Sequence, residues 1–98
     1  MKIDYSYNCS YEEAYNRIDS FLDGLANEYS DMISNQSREW NDSKDKMNFS
    51  FDVKGFSING NIQLKENGLT LEGEVPFPAN LFEGKIRSTI ESKLDDLF

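Results

Sequence analysis

A cysteine just ahead of a helix start, two aspartates one turn apart and two more in a loop are the residues of this 98-residue chain best placed to do chemistry. Cys9 precedes Ser10, and Ser10 stands three residues before Glu13. That is capping-box spacing, in which each side chain satisfies an orphan amide of the first helical turn. A helix dipole at that point can lower a thiol's pKa and make it a nucleophile. The same spacing puts Cys9 at N′ and Ala14 at N4, the two partners of a hydrophobic staple, and packing is the role expected of it.

Asp19 and Asp23 share a helix face, and Asp42 and Asp45 share a loop. Carboxylates are the ligands of hard cations, but neither pair has the run of oxygen ligands of an EF-hand. The chain contains no His, so the usual general base and the commonest transition-metal ligand are missing. Its single Cys excludes an intrachain disulfide and a thiolate zinc site. Acid–base chemistry would fall to Asp, Glu, Lys or Tyr, and these show no recognisable pairing. The expectation is a protein without catalytic residues, cofactor or metal.

Eighteen acids against ten bases leave a net charge of −8, which repels a phosphate backbone and disfavours nucleic acid as a partner. A hydrophobic fraction of 38%, a third of it aromatic, is enough for an ordered globule despite that charge. The N-terminal residues lack the basic start and apolar core of a secretory signal, and no apolar run approaches transmembrane length. A cytoplasmic protein without a transmembrane segment is expected.

The elements that must position these residues follow from the period of the apolar ones. "KIDYSYN" alternates, with Ile3, Tyr5 and Tyr7 on one face of a strand. Ala14, Ile18, Phe21, Leu22, Leu25, Tyr29 and Met32 then recur at three and four, which predicts a helix from Ser10 to near Ser34. Beyond it the period becomes two, weakly around Trp40 and clearly in Met47, Phe49, Phe51 and Val53. Phe56 to Leu64 and Leu69 to Val75 continue the alternation, with turn signals at Lys54-Gly55 and in Glu66-Asn67-Gly68.

A two-residue Lys54-Gly55 loop makes Val53 face Phe56, Phe51 face Ile58, and Phe49 face Gly60, an aromatic covering a glycine. At the second turn a two-residue Asn67-Gly68 loop pairs Ile62 with Gly73, and a four-residue loop pairs Gly60 with Gly73. The other face carries Ser50, Asp52, Ser57, Asn59, Asn61, Gln63, Thr70, Glu72 and Glu74, a solvated surface. Pro76 and Pro78 cannot donate ladder hydrogen bonds and end the last strand. Asn80 as N-cap, Glu83, and the stripe Phe82, Ile86, Ile90, Leu94, Leu97 predict a final helix running close to Phe98.

The reading is a single α+β domain over residues 1–98 in the order β-α-β-β-β-β-α. A meander of four strands plus an N-terminal strand forms a one-sided antiparallel sheet covered by two amphipathic helices, with Phe51, Ile58 and Ile90 expected in the core.

The helix opening "YEEAYNRIDSFLDGLANEY", the hairpin "FDVKGFSINGNIQL" and the tail "LEGEVPFPANLFEGKIRSTIESKLDDLF" together resemble the polyhydroxyalkanoic acid system proteins. These are small bacterial and archaeal domains named for occurring beside polyhydroxyalkanoate genes. In the tail, Val75, Pro76, Phe82, Gly84 and Ile86 match that family's strand, proline bend and Phe-x-Gly-x-Ile step. The resemblance implies a noncatalytic protein of polyhydroxyalkanoate metabolism, acting on a granule surface or beside a protein of the synthesis machinery. The apolar residues expected to make such a contact are Phe77, Leu81 and Phe98. A second expectation comes from the outline of a one-sided sheet gripped by a terminal helix, which is similar to helix-grip lipid binders. It would place a lipid or acyl ligand in a hollow at Gly60, Gly73 and Gly84.

Overall fold

The computed structural model describes residues 1–53, 55–76, 81 and 83–98. The elements are β1 (Lys2–Ser6), α1 (Tyr11–Glu28), β2 (Ile33–Trp40), β3 (Lys46–Val53), β4 (Phe56–Lys65), β5 (Gly68–Glu74) and α2 (Glu83–Leu97). The five strands form one antiparallel sheet in the order β1-β5-β4-β3-β2. The meander therefore runs outward from β5 to β2, and β1 returns to pair with the last strand. Order and class are those predicted, as an α+β single domain.

Ser10 caps α1 as its spacing requires: its Oγ accepts the Glu13 amide at 3.2 Å. The helix stops at Glu28, earlier than the predicted end near Ser34. Tyr29 closes it by donating its amide to the Leu25 carbonyl, and its own carbonyl accepts from both Met32 and Ile33 at 2.9 Å. That tight turn aims Ile33 at Val53, with which it pairs. Met32 keeps the helical spacing but is 43% exposed beyond the helix. Strand pairing has overridden a periodicity that alone would have carried the helix further.

Strand β2 begins at Ile33, before the alternation becomes visible, because its register shifts between Ser34 and Ser37. Asn35 sits there with φ at 52°, the left-handed conformation Asn tolerates best after Gly. A bulge of this kind scrambles the period of two, which explains the weak signal before Trp40.

The β3–β4 register is the one the Lys54-Gly55 turn predicts, with Val53 opposite Phe56, Phe51 opposite Ile58 and Phe49 opposite Gly60. Gly55 has φ at +84°; Lys54 lies outside the described residues. At the second turn Gly60 faces Gly73, the pairing expected of the longer loop, and Lys65 also faces Gly68, so the loop closes at Glu66-Asn67 rather than Asn67-Gly68. Gly68 is needed inside the strand, since a Cβ there would stand 2.5 Å from the Tyr5 carbonyl oxygen of β1.

Buried apolar residues collect at the β4–β5 turn end of the sheet: Ile3, Met47, Ile62, Leu64, Leu69 and Leu71 from strands, with Ala14 and Ile18 of α1 and Leu94 of α2 above them. Phe51, Ile58 and Ile90, expected in the core, are only half-buried. Phe51 and Ile58 lie away from that end, where the two helices give less cover, and Ile90 packs against the core from its margin. Asn80, the predicted N-cap of α2, and Phe82, of its apolar stripe, lie outside the described residues.

The unequal burial predicts unequal mutational cost. Met47→Ala should cost about 2 to 5 kcal/mol in urea unfolding, as a fully buried long side chain does. Phe51→Ala should cost well under the about 3 to 5 kcal/mol of a buried Phe. Equal losses at the two positions would mean that the sheet is covered evenly.

Candidate functional site

Residues directly opposite one another on neighbouring strands point to the same face, so the register divides the helix-facing side of the sheet into cross-strand rows. One row runs across all five strands: Ile3, Leu71, Ile62, Met47, Trp40. The next holds Gly73, Gly60, Phe49 and Arg38, and beyond it come Ile58 with Phe51, then Phe56, Val53 and Ile33. The first row is buried apart from the partly covered Trp40. In the last two rows every residue is half-buried.

The glycine row marks the change. Two facing glycines leave a dip in the sheet surface, and Phe49 fills it: a Cβ on Gly60 would stand 2.6 Å from Phe49 Cζ. Phe51 stacks behind Phe49 with ring centroids 6.2 Å apart and planes at 21°. On the helices the same gradient appears. The buried residues of α1 are Ala14 and Ile18, in its first half, whereas Phe21, Leu22 and Leu25 are half-buried. The buried residue of α2 is Leu94, in its second half, whereas Ile86 and Ile90 are half-buried. The two helices meet where Arg17 Nη1 donates to the Leu97 carbonyl at 3.5 Å and its guanidinium lies 5.7 Å from the Phe98 ring centroid. The candidate site is therefore the apolar floor Phe49, Phe51 and Ile58, whose helix cover is incomplete.

Asp19 and Asp23, weighed above as cation ligands, are occupied by protein. Arg38 of β2 reaches up to both: its Nε lies 3.3 Å from Asp19 Oδ1, and its Nη2 pairs with Asp23 Oδ1. The Trp40 indole also donates to Asp19 Oδ1 at 3.1 Å, and its ring meets Tyr15 edge-on at 4.7 Å. This clasp holds the edge strand to α1. Asp45 accepts from Asn41 Nδ2 at 2.6 Å within its loop. Among the described residues no three His, Cys, Asp or Glu gather as a metal site would require.

Cys9 packs against the core, and burial pushes its thiol pKa up, which argues against a reactive thiolate. Burial also raises the Tyr7 phenol, which donates to the Lys65 carbonyl at 2.6 Å. The Tyr5 phenol is raised because it donates to the Asp95 carboxylate at 2.7 Å. Asp52, on the polar face, is lowered by hydrogen bonds from Asn35 Nδ2 and Ser57 Oγ, both at 2.7 Å. Sequence reasoning missed the Arg38 clasp and the Asp52 pin. Two aspartates at i,i+4 on a helix and alternating Arg38 and Trp40 on a strand were visible, but their meeting depends on tertiary packing.

Two of the three predicted contact residues, Leu81 and Phe98, stand near opposite ends of α2. Leu81 is 70% exposed, and Phe77 lies outside the described residues. Phe98 stacks on Tyr7 with centroids 4.8 Å apart, at the far end of α2, about 22 Å of helix from Leu81. Of the predicted hollow, Gly60 and Gly73 are direct partners. Among the described residues, no atom beyond its chain neighbours and own helix backbone lies within 4 Å of where a Gly84 side chain would stand, so Gly84 makes no close contact with the pair. An open hollow of about 370 Å³ borders Ile86, Ile90, Lys85 and Thr89 of α2 instead. Behind the glycine pair, the solvent side carries a polar groove of about 530 Å³ between Lys2, Asn59, Asn61 and Glu74.

Among protein families, the one described as "Putative polyhydroxyalkanoic acid system protein" matches residues 1–98, the whole chain. No curated protein and no solved structure matches. No helix among the described residues is long and apolar enough to cross a membrane.

Two measurements test the polar contacts. Arg38→Ala should lower stability by about 1 kcal/mol, the scale of partly exposed ion pairs, while a chelator leaves the melting temperature unchanged. A chelator-induced drop reversed by a divalent cation would overturn the assignment of Asp19 and Asp23 to Arg38 alone. In an NMR titration Asp52 should show its midpoint below the ordinary 3.8. Its contribution to stability is present above 3.8 and is lost as pH falls through the lower folded value. Asn35→Gly keeps the left-handed backbone, removes the donor, and should raise that midpoint.

Proposed function

The chain belongs to the polyhydroxyalkanoic acid system family, and from that premise we propose that it is a noncatalytic accessory protein of the cytoplasm that makes apolar contact with polyhydroxyalkanoate granules. The observation that carries the reading is the incompletely covered floor of Phe49, Phe51 and Ile58. An aliphatic polyester surface offers apolar area and few groups for ionic recognition, so a protein that meets it gains chiefly by burying apolar side chains. Leu81, exposed beside α2, adds to that area.

Electrostatics favour the same partner over charged ones. A net charge of −8 opposes nucleic acid and bare anionic lipid, while an uncharged polyester is indifferent to it. The absence of His, the raised thiol of Cys9 and the engagement of Asp19 and Asp23 by Arg38 support a role without turnover. The hollow beside Ile86 and Ile90 favours a second reading, a helix-grip-like binder of a lipid or acyl ligand. The Phe49 ring over Gly60 stands against it, since it fills the place where a ligand would lie between the glycine pair and the helices.

Co-sedimentation with purified polyhydroxyalkanoate granules tests the proposal. Ile58→Thr, which keeps a β-branched residue in the strand, combined with Leu81→Ser should weaken sedimentation at least about tenfold with a change of only a few degrees in melting temperature. Unsubstituted protein that stays in the supernatant would sink the granule reading.

A further inference from the structure

Helix α2 is built from two unequal halves. Its second half is fixed at several points: Leu94 is 4% exposed, Leu97 and Phe98 pack against the core, and the Phe98 amide donates to the Leu94 carbonyl at 2.9 Å. Phe98 is further held between Tyr7 and the Arg17 guanidinium. In the first half no described residue is fully buried. Among the described residues its polar ties to the sheet are the Arg87 guanidinium on the Lys2 carbonyl at 2.6 Å and Glu83 Oε1 at 3.4 Å from Met1 N, and Ile90 packs against the core at the boundary between the halves.

These contacts define how the helix lies. Arg87 stands over Lys2 and Asp95 over Tyr5. Eight residues of helix rise about 12 Å, and three residues of strand about 10 Å. The helix thus runs along β1 in the same direction, from Arg87 over its start to Asp95 over its end.

The backbone of that first half is also weak. Gly84 lies in the first turn, where glycine lowers helix propensity. Ser88 Oγ donates back to the Gly84 carbonyl at 3.1 Å, and Thr89 Oγ1 to the Lys85 carbonyl at 2.9 Å. Such back-bonding competes with the helical ladder and bends helices slightly. Two adjacent back-bonds therefore coincide with the boundary between the loosely and the firmly packed halves.

We propose that α2 is a hinged cover: residues Glu83–Thr89 unwind and leave β1 while Leu94–Phe98 stay docked, baring Ile86 and Ile90. Resting on the granule reading above, this opening enlarges the apolar area the protein can present and keeps it shielded when no partner is near. Local openings of this kind lie well below global unfolding in free energy.

Amide hydrogen exchange on the whole chain tests the cover independently of any partner. An ordinary isolated helix frays from both ends and is most protected in its middle. Here the amides of Arg87, Ser88, Thr89 and Ile90 should exchange at least about 100-fold faster, after correction for intrinsic rates, than those of Leu94 to Phe98. Protection that peaks at the helix centre and falls toward Leu97 would overturn the proposal. Ser88→Ala with Thr89→Ala should slow exchange at those four positions about fivefold and leave Leu94 to Phe98 unchanged; unchanged rates at all positions would remove the hinge. Granule sedimentation reports on the partner alone. A protein with the exchange gradient that fails to sediment keeps the cover and loses the polyester.

Discussion

A single line of side chains, Ile3, Leu71, Ile62, Met47 and Trp40, crosses all five strands, and the rest of the structure hangs on it. Because strand side chains alternate, a slip of one residue in any strand would turn its member of the row to solvent. The row therefore sets the register of the whole sheet. It also sets where the helices dock: Ala14, Ile18 and Leu94 belong to the same buried cluster. At its outer end Trp40 passes the constraint upward, donating to Asp19 and locking β2 to α1.

The adjoining glycine row limits how far this order extends. Gly60 tolerates no side chain, because a Cβ there would meet the Glu72 carbonyl oxygen and the Phe49 ring. Phe49 lies down into the space, leaving Phe51 and Ile58 as the start of a floor that neither helix half covers fully. A small domain with one modest core has little apolar area to spare. Leaving aromatic side chains half-covered forgoes stabilisation, which is why the exposed end of the sheet carries the functional reading and the buried end does not.

The edges of the sheet are managed by other means. Strand β2 presents an open edge, and its bulge at Asn35 together with the charged Arg38 and Glu39 makes it a poor template for a further strand. Asp52 secures that bulge from the neighbouring strand through Asn35 and holds Ser57 on the next. On the opposite edge, β1 approaches β5 closely at Gly68, and Thr70 donates to Asp4 at 2.7 Å across the pair. Apolar contact is thus directed to the helix side of the sheet and away from its edges.

Periodicity alone determined the order of elements, the one-sided sheet and the β3–β4 register, because burial on one face forces alternation and a two-residue loop leaves one pairing for each strand residue. Spacing also located the Ser10 cap and the covering of Gly60 by Phe49, both consequences of local geometry. Tertiary structure decided the rest. The helix gave way to β2 at Tyr29 because Ile33 gains more from pairing with Val53 than from another turn. Strand β1 chose β5 through the fit of Gly68 against Tyr5, a contact between residues far apart in the chain. Arg38 found Asp19 and Asp23 only once α1 lay over β2. Whether Phe51 and Ile58 were core or surface depended on where the helices came to rest, and amphipathic stripes state which faces are apolar without stating how much of the sheet two short helices can cover.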